Sequence, residues 1–216
     1  PLTFNPDRSK EVLVLGSGAS VRKRAPDIQE FIRKYKPVVI ECNVQKEIEP
    51  SDNHEYSLYS LFTNYQRLEK HLPNLTTTKR RCVVLGMDVV GGEMARVLDG
   101  MEVYHYPYRV EEGKFEYTQE GCVIPSDVVA MFAFALAMQS GASILYLCGF
   151  DGYLPEPGHA GDAPATEKTA MEREMENFFH LKENLDVGKT SEDKVRVISL
   201  TPTVYPIAQE SLYAYL

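Results

Sequence analysis

The run Glu11-Val12-Leu13-Val14-Leu15-Gly16-Ser17-Gly18-Ala19-Ser20 is the stretch from which the rest of the chain can be read. Residues 12 to 15 are apolar without alternation, the pattern of a strand buried on both faces rather than one with a wet side. Glycines directly after such a strand let the backbone turn tightly and come close to a phosphate, with the amides of a following helix facing it. A tight structural turn explains the same glycines. Val21 stands where a GxGxxG motif would end, which disfavours a dinucleotide site, and no GxxxxGK sequence occurs.

Working outward, compact apolar runs recur at 37–42, 56–62, 81–85, 101–106, 143–148 and 194–200. Helical patterns fall between or after them. In 26–35, Ile28, Phe31, Ile32 and Tyr35 share a face and Pro26 suits a first turn. Residues 92–98 are a shorter candidate, and 126–140 are apolar all round, as a helix inside the fold must be. Residues 167–184 are amphipathic, and 206–216 suit a closing helix. Strand-helix alternation implies right-handed βαβ units and a mostly parallel sheet. The expected fold is therefore an α/β, Rossmann-like three-layer domain. The expected organisation is a linker at 1–10 and a single nucleotide-binding domain at 11–216.

Composition narrows the function. The 216 residues are 44% hydrophobic and 25% charged, the balance of a globular protein. A net charge of −8, from 23 basic and 31 acidic side chains, argues against a nucleic-acid partner. No apolar run is long enough to span a bilayer. The four scattered cysteines form no CxxC pair and no signal peptide is visible, so no metal site and a cytoplasmic location are expected. The sequence starts Pro1-Leu2-Thr3, without methionine, which fits terminal processing or a domain cut from a longer protein.

In an open parallel sheet, ligands bind beyond the carboxyl ends of the strands near the switch in strand order. The candidates are therefore the strand-end residues. Gly16, Ser17, Gly18 and Ser20 follow the first strand. Asn43 ends the second, just after Glu41, an acidic residue placed to hold ribose hydroxyls. Asn64 ends the third. An Asn amide both donates and accepts, so two at adjacent strand ends suit a polar ligand wall; an Asn capping a turn is the plainer alternative. Ser126 opens the buried helix as its N-cap or as a ligand contact. Gly149, Asp151 and Tyr153 lie at another strand end, before a Gly, Pro and Ala-rich loop at 154–166 that carries His159. His159 and Asp151 are the candidate catalytic groups, though the histidines form no recognisable triad.

The glycine turn with Ser20, Asn43, Asn64, Ser126 ahead of Leu145-Tyr146-Leu147-Cys148-Gly149-Phe150-Asp151-Gly152-Tyr153, and Ser199-Leu200-Thr201-Pro202-Thr203 together resemble one Rossmann-like group. It includes the bacterial CMP-sialic-acid-dependent sialyltransferases and the MptE-like pterin pyrophosphokinase-type domains. The pattern is most similar to the module found C-terminal to HMG-CoA-lyase-like or 4-hydroxy-2-oxovalerate-type aldolase domains, over roughly residues 11 to 205. The resemblance implies CMP or CMP-sugar as ligand, with contacts from Gly16, Gly18, Asn43, Asn64, Ser126 and Gly149 and a phosphate contact from Tyr153. The family's lid histidine is not placed on His159 or His180 by any motif.

Three expectations follow. The first is a nucleotide or nucleotide-sugar binding domain, extending to a glycosyltransferase of surface-polysaccharide synthesis. The second is a non-catalytic accessory domain covalently linked to an aldolase (a lyase). The third is ATP- and magnesium-dependent diphosphate transfer, which would use Asp88 and Asp151.

Overall fold

The computed structural model describes residues 2–3, 10–50, 56–77, 82–87, 98–152 and 195–216. The first strands run in chain order β1 (Leu2–Thr3), β2 (Glu11–Leu15), β3 (Val38–Cys42), β4 (Leu58–Phe62), β5 (Cys82–Leu85) and β6 (Glu102–His105). A small insertion follows with β7 (Tyr108–Val110), β8 (Glu116–Tyr117) and β9 (Cys122–Ile124), before β10 (Ile144–Cys148), β11 (Arg196–Ser199) and β12 (Ala208–Gln209). The described helices are α1 (Ala19–Lys23), α2 (Ala25–Tyr35), α3 (Tyr65–Thr77) and α4 (Val129–Gln139).

Among the described residues nine strands form one sheet in the order β1-β6-β5-β4-β3-β2-β10-β11-β12. Every pairing in it is parallel. The α/β, Rossmann-like expectation holds. Strand β2 lies between β3 and β10, so the chain first builds outward on one side and then on the other. The crevice beyond the carboxyl ends of β2 and β10 is the switch point. Residues β7 to β9 make a separate three-stranded sheet, β9 pairing parallel with β7 and antiparallel with β8.

The apolar run 12–15 is continuous because the sheet is covered on both faces. Val12 and Val14 belong to the core that β2 shares with α4. Leu13 and Leu15 pack with Ile28, Phe31 and Ile32 of α2. Helix α4 is buried from Ala130 through Met138, and its uniform hydrophobicity follows from contact with the sheet on one side and with Tyr106, Phe115 and Cys122 of the insertion on the other. Glu41 is wholly buried in β3, its carboxylate accepting the Gln45 N–H at 2.8 Å and the Ser60 hydroxyl. It is spent inside the fold and does not line the crevice.

Several boundaries differ from the sequence reading. Helix α4 starts at Val129 rather than Ser126, because Ser126 uses its carbonyl to accept the Val128 N–H at 2.8 Å in a tight turn. Val128 is then the N-cap, with no side-chain cap, so Ser126 does not serve that role. The closing helix at 206–216 is replaced by edge strand β12 and a short 3₁₀ turn, Leu212–Ala214. Pairing with β11 takes the backbone of 208–209, and the Tyr215 ring is held among Phe31, Tyr35 and Tyr146. Helix α3 is hidden in the sequence by its interior Pro73. Leu2 and Thr3, in the segment read as linker, pair with Tyr104 and His105. The expected helices at 92–98 and 167–184 and the loop at 154–166 lie outside the described residues, apart from Leu98 in a turn.

Candidate functional site

The carboxyl ends of β2 and β10 meet turn to turn. The Gly16 N–H donates to the Cys148 carbonyl at 2.8 Å and the Gly18 N–H to the Gly149 carbonyl at 2.9 Å. The turns approach so closely that a Cβ on Gly16 or on Gly18 would lie 2.5 Å from the Gly149 oxygen. Gly149 is in the left-handed region (φ +78°), and its N–H donates to the Thr201 hydroxyl at 3.0 Å. The Ser199 hydroxyl in turn donates to the Thr201 carbonyl at 2.7 Å. The Ser-Leu-Thr-Pro-Thr segment therefore braces the turn from beneath.

Asp151 reaches back to the start of α1. Its Oδ2 accepts the Ser20 N–H at 2.8 Å and its Oδ1 accepts the Ser20 hydroxyl. The amides of Ser17 and Ala19 have no partner among the described residues.

A cavity of about 720 Å³ opens at this switch point. It gathers Gly16, Ser17, Gly18, Asn43, Asn64, Gly149 and Asp151 on one surface, with Asp127, Val128, Val129 and Ala130 from the start of α4. Ser20 and Ser126 are not in its lining, Ser20 being turned to Asp151 and only 7% exposed. Tyr153 and His159, expected here, lie outside the described residues, as do Asp88 and His180.

Both asparagines also have local duties. Asn43 is in the left-handed region (φ 62°), which Asn tolerates better than most residues, and its side chain has no partner among the described residues. Asn64 caps α3, its Oδ1 accepting the Arg67 N–H at 2.9 Å, which leaves its amide NH₂ to donate. The amides of Val129 and Ala130, in the first turn of α4, are likewise unpartnered among the described residues.

Sequence reasoning missed the charges. Arg22, Lys46, Arg67 and Lys70 line the cavity beside the carboxylates of Glu47, Asp127 and Asp151, so the lining is locally basic in an acidic protein. None of the four cations has an ion pair among the described residues. Spacing three apart on α3 puts Arg67 and Lys70 on one face, a signal legible only once α3 is known. Asp127 accepts the Tyr108 hydroxyl through Oδ1 at 2.6 Å, and its Oδ2 is uncommitted among the described residues. Burial and then the Asp127 carboxylate push the Tyr108 hydroxyl well above the usual phenol range, so the proton stays on tyrosine. No group of three or more metal-ligating side chains occurs among the described residues. Among them no helix is long and apolar enough to cross a membrane.

Among solved structures, the fold matches that of the MAf glycosyltransferase from Magnetospirillum magneticum AMB-1, with a TM-score of 0.61 over 99% of this chain. The two are 15% identical, so the likeness is one of fold, and this chain spans 35% of that protein's length. No protein-family model and no curated protein matches the sequence.

Proposed function

We propose that the cavity binds a cytidine monophosphate-type nucleotide or nucleotide sugar, and that the domain serves a glycosyltransferase reaction of the CMP-sugar kind. The observation that carries the reading is the convergence in one cavity at the switch point of Asn43, Asn64, the first-turn amides of α4 and cations that have no ion pair among the described residues. That combination offers amide recognition for base or ribose and positive potential for a phosphate. The fold shared with a glycosyltransferase supports the same direction.

In this scheme an acceptor hydroxyl attacks the anomeric carbon, the bond from that carbon to the phosphate oxygen breaks, and the electron pair leaves with CMP. Arg67, Lys70 and the amides of Val129 and Ala130 stabilise the charge arriving on the phosphate. Asp127, oriented by Tyr108, has an oxygen with which to take the acceptor's proton.

Calorimetric titration with CMP, CDP, ATP and NAD, with and without magnesium, tests the reading. Saturable, metal-independent CMP binding supports it. Metal-dependent ATP binding would move the assignment to diphosphate transfer. Silence across the panel overturns it and leaves the accessory, aldolase-linked role.

A further inference from the structure

The glycine turn carries an anion of its own. Three of the groups that a dinucleotide-binding turn would aim at a pyrophosphate are consumed internally: the Gly16 N–H by Cys148, the Gly18 N–H by Gly149, and the Ser20 N–H by Asp151 at 2.8 Å. The Ser20 hydroxyl also donates to Asp151. A Cβ on Gly18 would meet the Gly149 oxygen at 2.5 Å and the Asp151 Cγ at 2.6 Å, so the glycine makes room for both the turn contact and the carboxylate. Gly149 and Gly152 flank the segment in the left-handed region (φ +78° and +86°), which fixes the direction in which Asp151 points. The charge is thus built into the turn by backbone geometry on both sides.

We propose that Asp151 sets how many phosphates the cavity accepts: its carboxylate occupies the anion position of the glycine turn and excludes a diphosphate from it. The nucleotide's single phosphate then lies away from the turn, among Arg67, Lys70 and the start of α4. This inference rests on the nucleotide reading of the cavity and deepens it into a preference for nucleoside monophosphates. A second phosphate pressed toward the turn meets a fixed negative charge at close range, where the medium screens it less than bulk water does. Like-charge juxtaposition of this kind rejects a ligand more sharply than the loss of a favourable contact.

The test compares CMP, CDP and inorganic pyrophosphate by calorimetry on the wild-type chain, Asp151→Asn and Asp151→Glu. Asp151→Ser replaces the asparagine variant if that one does not fold. The expected result is that wild type binds CMP more tightly than CDP. In Asp151→Asn the CDP-to-CMP affinity ratio rises about tenfold, and in Asp151→Glu it stays near wild type. Wild type that binds CDP as well as CMP, with a ratio unmoved by Asp151→Asn, overturns the proposal and leaves the nucleotide reading standing. If no cytidine nucleotide binds any of the proteins, the nucleotide reading fails and pyrophosphate decides the rest. Pyrophosphate held by Asp151→Asn and not by wild type supports exclusion by Asp151, whereas binding by both or by neither overturns it.

Discussion

The Gly149 carbonyl accepts the N–H of Gly18 at 2.9 Å, locking the ends of the two strands that flank the switch point. The contact leaves no room for a Cβ at Gly16, Gly18 or Gly149. In Gly149→Ala the new Cβ would collide with Val21 and sit 2.7 Å from the Gly16 oxygen, at a φ of +78° that L residues resist. Left-handed strain of about 1–2 kcal/mol adds to overpacking of about 1–3 kcal/mol. Gly113→Ala is the control, since its φ is +73° but nothing lies within 4 Å. Urea denaturation should show Gly149→Ala destabilised by about 2–5 kcal/mol and Gly113→Ala by the strain alone, about 1–2 kcal/mol. Equal losses would mean that the turn contact is not tight.

Asn43 combines a backbone duty with a proposed ligand contact, and the two can be separated. Glycine adopts φ 62° without strain while removing the amide. Asn43→Gly should keep its stability within about 1 kcal/mol and weaken CMP binding about tenfold, or about 1.4 kcal/mol. An affinity equal to wild type would reduce Asn43 to a turn residue.

The cations of α3 predict a salt signature. Arg67→Ala and Lys70→Ala should each weaken CMP binding several-fold and flatten its dependence on ionic strength, because both charges sit at the cavity lining without ion pairs among the described residues. Titration at two salt concentrations reads this directly. A slope identical to wild type would place the phosphate elsewhere.

The sheet was legible because doubly buried strands leave an unbroken apolar trace, as 12–15 and 144–148 do. The strand-end rule then brought Gly16, Asn43, Asn64 and Asp151 to one cavity from residues far apart in sequence. What the sequence hid depends on tertiary context. Pro73 masks α3 and with it the shared face of Arg67 and Lys70. Ser126 resembles an N-cap, yet the turn closed by the Val128 N–H moves the helix start past it. Glu41 looks like a ribose ligand until the Ser60 and Gln45 groups that consume its carboxylate are known. In the sequence the glycine turn suits a phosphate cradle or a tight structural turn, and only three dimensions reveal a carboxylate from 131 residues away already bound to it.

Buried thiols make the protein sensitive to alkali. Burial in the core pushes the Cys122 thiol from 9.0 up to about 12. Burial, and then the negative charge of Asp151, raise Cys148 as well. Below about pH 9 the thiol is protonated in folded and unfolded chains alike, and folding is independent of this group. Between pH 9 and about 12 the unfolded chain binds fewer protons than the folded one, so stability falls as pH rises through that window. Urea midpoints should therefore hold steady from pH 7 to about 8.5 and decline above pH 9. The decline should be shallower in Cys122→Ala, which removes one titrating group while leaving Cys148. In the native state a thiol reagent at pH 8 should label Cys82, the partly exposed cysteine, ahead of the buried Cys42, Cys122 and Cys148. Rapid labelling of Cys122 before unfolding would show that the small sheet does not seal the face of α4 as described.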